Sequence, residues 1–216
     1  MAYEKLYNEI YAVVVLRYFW KEYRPGFVKW ESPDWMNWDM DFGMEVSQAL
    51  LPADGQAESF LEHYLGCLKE EIPETALEKY QGKLYFYNGR LWALLNDKEN
   101  KIPYQEKVWF RFERKLEKLN SHYVHCACNS LYLYAHAEPQ RLGEIAVIMQ
   151  AMNEQQLKQK YQFQKVFLDC KNQVYILDFE DMSIHEIFIP QKAQMFLEME
   201  TETMRHQIEW KNGTSF

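Results

Sequence analysis

The most restrictive feature of this chain is a helical pattern that gives way abruptly to strand patterns. Stepping about 100° per residue, Leu6, Ile10, Val13, Val14, Leu16 and Trp20 fall on one side of a helix over residues 3–23, while Glu4 and Glu22 point away. Glu9 and Arg17 share the apolar arc and are polar exceptions within it. Arg24-Pro25-Gly26 ends the pattern, because proline lacks the amide and glycine leaves helical backbone at little cost. Residues 27–38 and 42–50, rich in aromatic and branched residues, read as two strands joined through a polar turn at Asp39 and Asp41. A helix leading directly into a strand pair requires a sheet with a helix packed on it.

The rest of the chain continues in mixed style. Helices are expected over 53–69, 103–120, 141–152 and 191–210, and strands over 130–137, 166–169, 174–179 and 184–189. Asn88-Gly89 between 83–87 and 90–95 signals a two-residue hairpin. In the 103–120 helix, Val108, Phe112, Leu116 and Leu119 form the apolar arc, and Lys115 lies inside it. Lys107, Arg111, Arg114 and Lys118 lie outside. No repeat or long linker divides the 216 residues, so one domain is expected. The fold class expected is α/β (α+β), a central mixed sheet flanked by helices.

Charge narrows the function. The chain holds 24 basic and 32 acidic residues, a net −8, which argues against a broadly basic nucleic-acid binder. The excess is local: residues 1–75 carry 14 acidic and 6 basic side chains, and the remainder carries 18 of each. No stretch approaches the roughly 20 apolar residues of a membrane span, and residues 11–16 do not read as a signal peptide. Four cysteines at irregular spacing suit a reduced, cytoplasmic chain rather than a disulfide framework. His122, His125, Cys126 and Cys128 do not follow the paired spacing of a zinc site.

One constellation carries chemistry. Pro33-Asp34 lies in the first strand region, and Glu45-Val46-Ser47 follows on the next strand after ten intervening residues. Alternation puts Glu45 and Ser47 on one face, and adjacent strands can bring Asp34 and Glu45 together as paired carboxylates of the kind a hard cation binds. Trp30, Trp35 and Trp38 surround these positions, with core packing the expected use and stacking on unpaired bases the other.

This pattern resembles the PD-(D/E)xK, or restriction-endonuclease-like, nuclease superfamily. Pro33, Asp34 and Glu45 match its motif, Ser47 stands at the lysine position, and Gly43-Met44-Glu45-Val46-Ser47 is similar to the G-I-E-V-T form of some bacterial and phage members. The resemblance implies a restriction-endonuclease-like core over 3–137, with an inserted hairpin segment at about 72–102 and a C-terminal strand and helix extension over 138–216. It also implies Mg2+ or Mn2+ held by Asp34 and Glu45 with Glu9 assisting, a migrated lysine at Lys115, and Gln48 near the metal-bound water or phosphate. DNA is the implied substrate, and dimers are common in the family. The alternative is a catalytically inactive descendant that keeps the fold as a binding or interaction module.

Overall fold

The computed structural model describes residues 2–23, 26–49, 52–94, 103–121, 123–135 and 137–211. Its contacts divide the chain into two compact units, residues 50–103 and residues 2–49 with 104–216.

The larger unit is a mixed sheet with helices. Helix α1 (Ala2–Phe19) is followed by strands β1 (Phe27–Lys29), β2 (Trp35–Asn37) and β3 (Phe42–Gln48). The expected single strand over 27–38 is therefore two. Pro33 has no amide to offer a ladder and fixes its own φ. The chain turns there, Trp30 N–H donates to Asp34 O at 2.9 Å, and β1 and β2 pair antiparallel. α1 ends at Phe19, with a short 3-10 turn at Lys21–Tyr23. The break expected at Arg24-Pro25 lies outside the described residues.

In the smaller unit, helices α2 (Pro52–Tyr64) and α3 (Glu74–Lys79) accompany a hairpin of β4 (Leu84–Tyr87) and β5 (Arg90–Leu94) around buried Phe60, Ile72 and Leu91. The turn expected at Asn88-Gly89 is present, both residues taking positive φ (49° and 76°). α2 is shorter than its apolar pattern suggests, because Gly66 at φ +81° follows it in the left-handed region.

The larger unit resumes with α4 (Tyr104–Leu119), β6 (Cys128–Tyr134), α5 (Leu142–Gln156), β7 (Lys165–Cys170), β8 (Gln173–Asp178), β9 (Ser183–Phe188) and α6 (Gln191–Lys211). The sheet order is β1-β2-β3-β6-β7-β8-β9. β3, β6 and β7 run parallel at its centre, and antiparallel pairs complete both sides. α4 and α5 return the chain in the same lateral direction between parallel strands, and crossovers of one hand then put both on one face. Their side packs Val108, Phe112 and Leu116 against Leu131, Leu133, Val166 and Leu168. On the opposite face α1 and α6 cover Met44, Val46, Tyr132 and Phe167. Among the described residues no helix is long and apolar enough to cross a membrane.

Candidate active site

The site lies where β2 and β3 part. Their ladder runs from Asn37↔Phe42 to Trp35↔Met44 and stops there. Val46 N–H, one step beyond, donates to Asp34 Oδ2 at 2.8 Å, so the Asp34 side chain fills the fork that the backbone has left. Gly43 makes the fork compact: a Cβ there would lie 2.8 Å from Pro33 Cγ and 2.9 Å from Cys126 Sγ. The glycine of the Gly43–Ser47 phrase is thus required by the close approach of Pro33, the neighbour of Asp34.

Three carboxylates are buried here: Glu9 on α1, Asp34 before β2 and Glu45 on β3. Each faces ammonium groups. Lys115, from the apolar arc of α4, contacts Glu45 Oε1 directly, and Lys118 Nζ lies 3.4 Å from the same oxygen. Lys29 Nζ lies 2.7 Å from Glu9 Oε2 and 3.7 Å from Asp34 Oδ1, bridging the two acids. Lys5 Nζ is 3.4 Å from Glu9 Oε1. Lys115 therefore does not send its charge back to water; its side chain is 15 % exposed and meets a carboxylate that is 2 % exposed.

The two motif acids respond oppositely to this setting. Burial, and then the charges of Glu45 and Glu9, push Asp34 well above the usual carboxylate range against the opposing help of Val46 N–H and Lys29. Burial also works against the Glu45 charge, but the Lys115 ammonium overrides it and holds this carboxyl below its ordinary value. Tyr123 lies close to Glu45, and burial together with that negative charge raises its phenol strongly. The Lys118 ammonium sits 5.0 Å from the Tyr123 ring centroid.

An open pocket of about 970 Å3 reaches this cluster and is lined by Lys5, Leu6, Glu9, Lys29, Trp30 and Asp34, among others. Glu9 Oε1 and Glu45 Oε2 are buried and poorly satisfied, with Lys5 Nζ 3.4 Å from the first and Tyr123 close to Glu45. Such oxygens fit a hard cation, which requires oxygen donors and tolerates an incomplete protein shell. Among the described residues no group of three or more His, Cys, Asp or Glu is arranged to hold a metal ion by itself. A cation here would take one or two carboxylates from the protein and its remaining oxygens from water or phosphate.

Of the residues expected from sequence, Glu9, Asp34, Glu45 and Lys115 meet in one network. Gln48 does not share the Glu45 face. It ends β3 three residues after Glu45, and alternation puts its side chain on the opposite face of the sheet. Ser47 shares the Glu45 face and is half-buried. Arg17, the other polar residue of the α1 arc, is exposed, and Lys29 and Lys5 pair with Glu9. His125 stacks on Tyr161, and Cys126 Sγ lies 3.6 Å from Met36 Sδ, whereas His122 lies outside the described residues.

Lys29, Lys118 and Tyr123 were missed. Lys118 could have been found, since it sits one turn after Lys115 on the same helix. Lys29 carried no such signal, because its partners come from α1 and from the turn before β2. No protein-family model matches the chain, and neither a curated protein nor a solved structure matches it.

Proposed function

We propose that the chain is a divergent PD-(D/E)xK-like, metal-dependent nuclease that hydrolyses phosphodiester bonds, with DNA as substrate. The observation that carries this reading is the Lys115–Glu45 contact at the β2–β3 fork beside Asp34. An ammonium from α4 meets Glu45, while Ser47 occupies the position of the motif's own lysine. The order α1–β1–β2–β3–α4–β6, with β6 parallel to β3, supports a restriction-endonuclease-like core.

Asp34 and Glu45 would hold Mg2+ or Mn2+, and Glu9 would assist from outside the metal's own ligands. A bound divalent ion polarises a phosphate oxygen and lowers the pKa of a coordinated water. Lys115 stabilises the charge that builds on the phosphate, and Glu45 keeps that ammonium in place. Asp34, held near neutrality by burial, must ionise to act as a ligand, and a bound cation supplies the charge that favours this.

Incubation of the protein with DNA and Mg2+ or Mn2+ tests the reading, beside Asp34→Ala, Glu45→Ala and Lys115→Ala. Cleavage by the parent that each variant loses is the expected result; equal inertness of all four overturns it. A second reading, an inactive nuclease fold serving as a binding module, is favoured by one observation. Lys29 and Lys115 already compensate the three acids without any metal. Mn2+ calorimetry separates the two readings, because an intact site binds the ion and loses it in Glu45→Ala.

A further inference from the structure

Trp35 is buried at 1 % exposure, as a core tryptophan should be, but its neighbours Trp30 and Trp38 remain 43 % and 53 % exposed. Their rings meet edge to face with centroids 5.5 Å apart. Val28, between them in the register, is 48 % exposed. Trp30 also lines the pocket that reaches Glu9 and Asp34.

Register places this apolar ridge on the side of the sheet that carries Glu45. Val28 pairs with Met36, and Met36 pairs with Gly43, so these three share a face. Alternation extends that face to Trp30, Asp34 and Trp38 on the hairpin and to Glu45 on β3. On that side Lys115 and Lys118 stand by Glu45, and Lys5 and Lys29 stand by Glu9 from the α1 side, four ammoniums against the three carboxylates of Glu9, Asp34 and Glu45. Aromatic faces beside clustered ammoniums match the two parts of an unpaired nucleotide, a base and a phosphate. A duplex keeps its bases stacked inside and offers the tryptophans little.

We propose that Trp30 and Trp38 form a stacking platform for unpaired bases, so that the site takes single-stranded nucleic acid or the single-stranded end of a duplex. The proposal rests on the nuclease reading for the role of the adjacent acids, while the binding itself depends on the platform.

Fluorescence anisotropy with a dye-labelled thymidine oligonucleotide, and with a labelled duplex of the same length, tests it in Ca2+ to withhold cleavage. The single strand binds roughly tenfold more tightly than the duplex, and Trp30→Ala and Trp38→Ala each lose about tenfold on the single strand alone. Trp30→Phe, which keeps a π face, retains most of the affinity and guards against a folding artefact. Equal binding of both probes, or single-strand affinity unchanged in both alanine variants, overturns the proposal. Mn2+ calorimetry on the same proteins keeps the two readings apart. If tryptophan-dependent single-strand binding persists where no Glu45-dependent Mn2+ binding exists, the platform stands and the nuclease reading falls.

Discussion

Two buried aspartates in the sheet unit, each 4 % exposed, live under different rules. Asp169 on β7 is enclosed among tyrosines. Tyr132 O–H donates to its Oδ2 at 2.7 Å, and burial pushes its carboxyl up to about 7 against that hydrogen bond. Asp34 is raised by burial as well, but also by two neighbouring acids, and it opens on a pocket lined by lysines. Burial alone marks neither as functional. What separates them is the company: the Tyr132 hydroxyl in a closed core beside Asp169, and charges of both signs around Asp34.

The sharpest way to break this contrast is to remove an ammonium from the site. Lys115→Ala leaves Glu45 buried with the looser Lys118 and Tyr123, and stability should fall by about 3 kcal/mol in urea titration. A loss under about 0.5 kcal/mol, within the range of exposed pairs, would mean that water already serves Glu45. Next in size is the response to a divalent ion. Mn2+ at about 100 times its Kd should stabilise the parent and Asp169→Asn by roughly 2.7 kcal/mol and Asp34→Asn far less, read from thermal unfolding. An equal shift in all three would dissolve the distinction between the acids.

Tyr132→Phe removes the hydroxyl donated to Asp169 and should cost about 2 kcal/mol at pH 8, leaving the Mn2+ response intact. The smallest effect concerns pH. The folded pKa of Asp169 lies above its unfolded value of 3.8. The stability linked to its proton is therefore complete below pH 4 and lost as pH rises toward about 7. Asp169→Asn should flatten that slope by about 1 kcal/mol, the scale of one pH unit of linkage, in denaturation midpoints compared at pH 5 and pH 6. Asp34→Asn should also gain stability at pH 8, and the gain should vanish when Mn2+ is added to the parent.

Much of the architecture was legible because periodicity is local. The apolar arc of α4 is the set that is buried, Val108, Phe112, Leu116 and Leu119, and Asn88-Gly89 turns the hairpin. The split of residues 27–38 was less visible, since its cause is one missing amide at Pro33 within an otherwise strand-like run. Lys115 stood out because a charge inside an apolar arc must find a partner. Gln48 follows Glu45 on β3, but alternation turns its side chain to the other face of the sheet.

The sequence by itself determined the elements, the local acidic excess in residues 1–75 and the residues needing compensation, because each follows from spacing along one strand or helix. Tertiary structure alone decided which charges meet. Lys29 with Glu9 and Asp34, and Lys115 with Glu45, are partners across different elements. It also decided which tryptophans enter the core and which stay at the surface. Both outcomes depend on the register of β1–β2–β3 and on the docking of α1 and α4, and long-range packing sets these where no local pattern does.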